Sequence, residues 1–355
     1  MKETILHPKH RELGAKLAEF AGFEMPIQYK GIIHEHNAVR ENVGIFDVSH
    51  MGRIVVKGPE AEDLLDFLST NKIAGKKAGS ATYTVWCHPH GGCVDDMLVY
   101  RLDEDEFFVV VNASNREKDL AHLKKHAEPY EVEIVPCYES EGILAVQGAK
   151  AVDLVSEIFP EASEMKPMKV RRAEFNGDTV LLASTGYTGS GGFEIYASNE
   201  MIDRLWDLFL EKGQPYGIEP AGLGARDTLR LEVGLALYGH ELADDIYPTE
   251  TVSAWTVKMN GRDFVGKEAL EKLQAKRHQY GAVVEGSGIA REGSDVFFKG
   301  ERVGKVTSGS FSPSLKQAIA IVLVDRKFDI DDTLEIQVRQ RKLPARVIKM
   351  PFYKP

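Results

Sequence analysis

Apolar positions recur along this chain with two periods, near 3.6 and near 2, and the switches between them predict its elements. Leu13, Leu17 and Phe20 stand at helical spacing and predict a helix over 10–20 that Gly22 stops. An extended segment at 25–29, a helix over 33–42 and a strand over 53–56 follow. The stretch 58–70 is amphipathic, with Ala61, Leu64, Leu65, Phe67 and Leu68 on its apolar side, and 83–86 reads as a short strand. Two apolar runs rich in β-branched and aromatic residues, 94–102 and 107–111, flank the acidic turn 103–106 and predict a hairpin. Ser114-Asn115-Arg116-Glu117 has the form of a capping box. A helix should therefore open there, carry Leu120 and Leu123 on its inner face, and end near His126. The region 54–137 reads as one α+β unit.

Farther along, the apolar run 143–148 leads into a helix over 149–158, and strands are expected at 179–184 and 193–197 around the glycine-rich turn 185–192. A helix over 199–212 comes next. If the chain after Pro220 is helical, Leu223, Arg226, Arg230, Val233 and Leu237 fall on one stripe. Beyond residue 280 the period returns to 2. Candidate strands at 281–285, 296–299, 302–308, 318–324, 333–338 and 345–350 suggest a small antiparallel β-barrel or jelly-roll-like domain.

Composition narrows the class. The 355 residues exceed one comfortable hydrophobic core and point to two or three domains. A formal net charge of −10 excludes a general nucleic-acid binder, and no stretch approaches the apolar length of a membrane span. Two basic runs, 166–172 and 339–349, are either solvated faces or holders of an anionic tail. Cys87, Cys93 and Cys137 lack metal-ligand spacing and cannot all pair, which with the absence of a signal core points to the cytoplasm.

Chemistry concentrates in the hairpin. Asp95 and Asp96 are adjacent carboxylates in a strand, a costly placement, and alternation lets only one face a given pocket. Asp96 would share its face with Leu98 and Tyr100, Asp95 with Met97 and Val99. The glycine-rich turn 185–192 precedes a strand rather than a helix, so it is no pyrophosphate site, and its glycines let backbone approach something closely. Tyr187 and Glu194 flank that approach. Arg226 is either a ligand contact or half of a structural ion pair. His34, His36 and His50 have no metal-ligand spacing, so no metal is expected.

Several motifs carry a resemblance. They include Phe20-Ala21-Gly22-Phe23-Glu24-Met25-Pro26, Asp47-Val48-Ser49-His50-Met51-Gly52, Gly91-Gly92 with Asp95-Asp96, and Asn112-Ala113 with Asn115. His10 with Leu13-Gly14-Ala15-Lys16, Thr185-Gly186-Tyr187-Thr188-Gly189, Gly222-Leu223-Gly224-Ala225-Arg226-Asp227, Thr307-Ser308-Gly309 with Ser312-Pro313, and the closing Pro351-Phe352-Tyr353 complete the set. Nearly end to end, the chain resembles the aminomethyltransferase, or T-protein, family of the glycine cleavage system. That resemblance implies an α+β, three-domain cloverleaf-like fold with tetrahydrofolate in a central channel. It divides the chain into a discontinuous folate-binding domain (1–52 and 138–245), an inserted domain (53–137), a connecting segment (246–279) and a C-terminal barrel (280–355). It implies an enzyme that takes an aminomethyl group from the lipoyl arm of H-protein, releases ammonia and forms 5,10-methylenetetrahydrofolate. Asp96 takes the catalytic position, and Tyr83, Tyr100, Asn112, Tyr187, Glu194 and Arg226 match positions that line or hold the folate. No metal and no flavin are implied.

The chain also departs from that family's pattern. Ser190-Gly191 replaces a frequent Glu-Asp pair, Pro167-Met168 lacks a common aromatic, and the chain ends soon after Tyr353, with Lys354 in place of a tail arginine. The alternatives are another folate-dependent demethylase of the superfamily, or a non-catalytic folate-binding protein whose characteristic Lys-Gly-Cys-Tyr stretch does not occur here.

Overall fold

The first departure from the helical spacing comes at Gly14. In the computed structural model, which describes residues 1–273 and 276–355, the opening helix is only His7–Glu12. Gly14 then takes φ +71° and the chain continues as a strand, Lys16–Phe20, paired antiparallel with Phe23–Gln28. The helix expected over 10–20 is therefore corrected to one short helix and a β-hairpin. Leu13 and Phe20, which defined its apolar stripe, are 45% and 39% exposed, so a helix there would have no core to face. Ala21 and Gly22 close the hairpin with φ +51° and +83°, the backbone that a two-residue type I′ turn requires. Gly22 is thus a turn residue rather than a helix stop.

The chain forms two compact units: Met1–Thr84 with Asp96–Arg226, and Val85–Asp95 with Asp227–Pro355. In the first, a six-stranded sheet runs in the order Val170–Phe175, Asp178–Ala183, Gly192–Ser198, Glu141–Gln147, Val43–Asp47, Ile218–Pro220. Its strands are antiparallel except the last pair. Helices Ala151–Ile158 and Asn199–Lys212 close one face, where Leu154, Val155, Ile202, Leu205, Trp206 and Phe209 bury against Ile45, Leu144, Val146, Leu182 and Ile195. Removing this apolar surface from water is the unit's main stabilising term, at about 25 cal/mol per Å². The longer helix opens as its sequence predicts, with Ser198 Oγ accepting the Met201 N–H at 3.3 Å.

A second, five-stranded sheet has the order Ser80–Cys87, Cys93–Arg101, Glu106–Val111, Gly52–Lys57, Glu133–Pro136. The chain leaves the first unit after Thr84 and re-enters it at Asp96, inside the first two of these strands. The expected hairpin is present, with Met97 opposite Val111 and Tyr100 opposite Phe108. The helix after it spans Arg116–Ala127 and buries Leu120 and Leu123. It opens through a 3-10 turn, Ala113–Asn115, without a side-chain cap, so the capping-box reading of 114–117 is corrected. A turn of 3-10 helix engages backbone N–H groups that a serine cap would otherwise satisfy.

In the second unit the period-2 tail closes on itself. The barrel order is His278–Val284, Gln317–Val324, Glu301–Ser312, Asp295–Phe298, Thr333–Val338, Arg341–Ile348. Alternate residues such as Ala282, Val284, Ala320, Val322, Leu334, Ile336, Ala345 and Val347 fill it, and closure leaves no free sheet edge. The strand expected at 302–308 runs on to Ser312 through an irregularity between Val306 and Ser308. The connecting segment 246–279 includes Gln274 and Ala275, which lie outside the described residues. The helix carrying Arg226 and Arg230 spans Leu223–Glu232 and is followed by Gly234 at φ +70°. Val233 and Leu237 therefore fall beyond the stripe drawn from the sequence. No helix among the described residues is long and apolar enough to cross a membrane.

Candidate functional site

Asp96 lies in the strand Cys93–Arg101 with Asp95 fully buried beside it and Asp96 itself half-buried. Alternation thus assigns the two carboxylates to opposite faces, as the sequence requires. Two neighbouring strands supply the groups that hold Asp96. Tyr83, in Ser80–Cys87, donates its hydroxyl to Oδ2 at 2.9 Å. Asn112, at the end of Glu106–Val111, donates Nδ2 to Oδ1 at 2.9 Å and to the Asp96 carbonyl at 3.1 Å. Each carboxylate oxygen therefore has its own donor, which fixes the plane of the group.

Glu194 lies in the strand Gly192–Ser198, two residues before Tyr196 and on the same face. Three hydroxyls converge on its Oε2: Thr185 at 2.6 Å, Tyr100 at 3.3 Å and Tyr196 at 3.3 Å. The two phenol oxygens also lie 2.9 Å apart, and the Tyr100 hydroxyl lies 2.9 Å from that of Thr185, so three hydroxyl protons are shared between these contacts and Oε2. Burial, reinforced by the Glu194 charge, pushes both phenols well above their usual range, so they remain neutral. Oε1 of Glu194 receives no protein donor among the described residues. All of the carboxylate's internal bonding falls on one oxygen.

Arg226 packs its guanidinium over the Tyr187 ring, 4.6 Å from the centroid, and its Nη2 lies 3.9 Å from the Met51 sulfur. Burial draws it below the usual arginine range, while the Glu194 charge acts in the opposite sense. Nη1 is buried with no hydrogen-bond partner among the described residues. No carboxylate there lies within ion-pair distance of it, and the Glu194 charge acts on it from farther away. Arg230, one turn on, is the structural arginine. It donates to Glu241 Oε2, Asp227 Oδ1 and Ser308 Oγ, each at 2.8 Å.

His50 is buried between Phe20 and Phe23, with Nδ1 lacking a partner among the described residues. Burial is the main cause that lowers it to about 3; Asp47 opposes, and Arg226, Arg53 and Arg116 add to the lowering. It is a neutral imidazole. His34 pairs with Glu219 at 3.4 Å. Three potential metal-ligand atoms do approach within 4.8 Å at Glu3, His7 and Glu24, a group that sequence spacing did not suggest. Arg11 already donates to Glu24 there at 2.8 Å, as an ion-pair cluster would.

Sequence reasoning missed Thr185 and Tyr196 as partners of Glu194, and Gln147 and Arg40 as holders of the turn 185–192. Tyr196 was legible in principle, since it lies two residues from Glu194 in a strand. Gln147 showed as a lone amide closing an apolar run.

Two families match: GCVT N-terminal domain over residues 6–261, and Glycine cleavage T-protein C-terminal barrel domain over residues 277–354. Together they define a two-part enzyme of the transferase class. A protein of Alkaliphilus oremlandii named aminomethyltransferase is 42% identical over 99% of this chain and 98% of its own. Another of that name, from Thermotoga maritima, is 43% identical over 100% of this chain and 98% of its own. The crystal structure of glycine cleavage system aminomethyltransferase T from Bartonella henselae superposes with a TM-score of 0.94 at 31% identity, covering 99% of this chain and 98% of that one. The chain belongs to the glycine cleavage T-protein family, among its aminomethyltransferases.

Proposed function

We propose that this enzyme moves an aminomethyl group from the lipoyl arm of a partner H-protein to tetrahydrofolate, releasing ammonia and leaving 5,10-methylenetetrahydrofolate. The one-sided bonding of Glu194 carries this reading. Three hydroxyls hold Oε2 and leave Oε1 to accept N–H groups from a flat heterocycle with an amino edge, which is the hydrogen-bonding character of a pterin. Arg226, with a buried Nη1 that has no partner among the described residues, supplies a donor beside it, and the Tyr187 ring lies under that guanidinium. These groups fit a folate.

Asp96 is the catalytic group of this reading. Tyr83 and Asn112 hold its two oxygens in one plane, so its charge is fixed in place before the reaction. A carboxylate so placed beside the nitrogens that receive the one-carbon unit orients them and stabilises positive charge developing as ammonia leaves. Asn112 and Tyr83 then act through Asp96, and Tyr100, Thr185 and Tyr196 through Glu194. Holding both reactants in one site supplies much of the rate. Three cysteines, a number that cannot all pair, support a reducing compartment, the cytoplasm.

The decisive measurement is ammonia release from aminomethylated H-protein with and without tetrahydrofolate. Release that depends on folate and yields methylenetetrahydrofolate is expected. A rate indifferent to folate overturns the reading.

A further inference from the structure

The strand Glu141–Gln147 ends in an amide where every other interior position is apolar or small. Gln147 is 1% exposed, and its cross-strand neighbours on both sides are glycines, Gly44 and Gly192. Without side chains there, the amide can lie across the sheet end and reach the turn 185–192. Its Nε2 donates to the carbonyls of Thr185 at 3.0 Å and Phe193 at 3.2 Å, one on each side of that turn. Its Oε1 accepts the Thr188 hydroxyl at 3.0 Å. Carbonyls can only accept, so the amide has one possible orientation. Thr188 is buried too, and its hydroxyl oxygen accepts the Ser190 N–H at 3.2 Å. From the helix Ile32–Glu41, Arg40 closes the outside, donating to the Thr188 carbonyl and the Ser190 hydroxyl, each at 2.6 Å.

The fit leaves no slack. A Cβ at Gly186 would stand 1.9 Å from Gln147 Oε1, and one at Gly192 would stand 2.3 Å from the Val146 carbonyl at φ +122°. The turn's two ends carry the groups given to the ligand, Tyr187 on one side and Glu194 on the other, and Thr185 is the closest hydroxyl on Glu194. One buried amide therefore ties both ends of the segment that presents them.

We infer that Gln147 is a positioning residue for the pterin-binding turn, setting the separation of Tyr187 and Glu194 through its bonds to Thr185, Phe193 and Thr188. This rests on the folate reading above and adds to it a residue that does not touch the ligand. It also accounts for Ser190-Gly191 in place of two acids: the serine hydroxyl is a neutral partner for Arg40, and the turn holds without those charges.

The test uses the full-length enzyme with Gln147→Met, which keeps length without donors or acceptor, and Thr188→Val, which removes one bond. Amide hydrogen exchange is followed over 185–192 without ligand, and steady-state kinetics are followed with tetrahydrofolate. In Gln147→Met, exchange of the turn should rise about tenfold or more, and KM for tetrahydrofolate should rise by about tenfold, which is about 1.4 kcal/mol. The kcat should change by less than about threefold, a split that a general loss of stability would not produce. Thr188→Val should show the same pattern more weakly, and it decides the matter should Gln147→Met not fold. Faster exchange with unchanged KM, or unchanged exchange in a folded variant, overturns the inference. A wild-type enzyme that does not bind tetrahydrofolate overturns the folate reading instead, and the exchange experiment then still reports on the turn.

Discussion

Asn112 donates from one amide nitrogen to both the side chain and the carbonyl of Asp96, at 2.9 and 3.1 Å, across two adjacent strands. With Tyr83 on the other oxygen at 2.9 Å, the carboxylate has little rotational freedom left. A group held this way contributes its charge without reorganising during the reaction, and that is where electrostatic catalysis gains its size.

Replacing Asp96 with Asn keeps the shape and removes the charge. Aminomethyl transfer should fall about 10²–10³-fold in kcat while the tetrahydrofolate dissociation constant stays within about threefold. Stopped-flow or steady-state assay of ammonia release together with equilibrium binding checks both halves. Wild-type turnover in the variant would remove Asp96 from the mechanism.

Tyr100→Phe deletes one of the three hydroxyls on Glu194 Oε2 and leaves the ring packed against Phe108 and Tyr196. A hydrogen bond to a charged group contributes about 1.5–3 kcal/mol, so folate affinity should weaken by about tenfold or more, with catalysis at saturation nearly unchanged. Calorimetric titration would read it directly. An affinity equal to wild type would mean that Oε2 needs only its other two donors.

His50 is buried and neutral, lowered from 6.5 to about 3 chiefly by burial, with Arg226, Arg53 and Arg116 contributing. Between those values the unfolded chain binds a proton that the folded chain does not. Stability from this residue is therefore present above pH 6.5 and is lost as pH falls toward 3, with a slope of at most about 1.4 kcal/mol per unit. Urea unfolding of wild type and His50→Gln across that window should show a flatter dependence in the variant. Parallel curves would show that His50 does not carry the effect.

Arg53 is fully buried and donates to four carbonyls, those of Ser49, Met51, Tyr138 and Glu141, at 2.6–3.0 Å. Burial lowers it to about 10, so it is still charged near neutrality. Arg53→Met strands those carbonyls in the interior and should cost about 3 kcal/mol or more, since each unsatisfied group costs about 1–3 kcal/mol. The midpoint of chemical unfolding measures it, and a loss below about 1 kcal/mol would mean that water replaces the guanidinium.

Ala21 occupies φ +51° in the turn between Phe20 and Phe23. Asn tolerates that region better than Ala, so Ala21→Asn should stabilise the protein by about 0.5–1 kcal/mol. A thermal scan that shows no gain would argue that the hairpin is already open at the unfolding transition.

Where local pattern and tertiary environment agree, the sequence was legible. The helix Asn199–Lys212 opens at Ser198 because serine competes well for the first N–H groups. The six barrel strands follow alternation, since a closed sheet must put every second side chain inside. Alternation likewise separated Asp95 from Asp96. The opening segment was not legible: helical spacing of Leu13, Leu17 and Phe20 predicted a stripe, but Leu13 and Phe20 stay 45% and 39% exposed, so the stripe is not buried in a core.

The linear order of residues by itself determined which carboxylate could face a site, which segments alternate, and, through motifs spread over the whole length, the family. Only the tertiary structure decided what those residues do to one another. It brought the Tyr100 hydroxyl, 94 positions away in the chain, to join those of Thr185 and Tyr196 on one oxygen of Glu194, and left the other oxygen without a donor among the described residues. It placed Arg226 on Tyr187 while giving Arg230 its carboxylates. Periodicity reports a side chain's direction from its own backbone, whereas partners 85, 94 and 148 positions away are set by how sheets and helices pack.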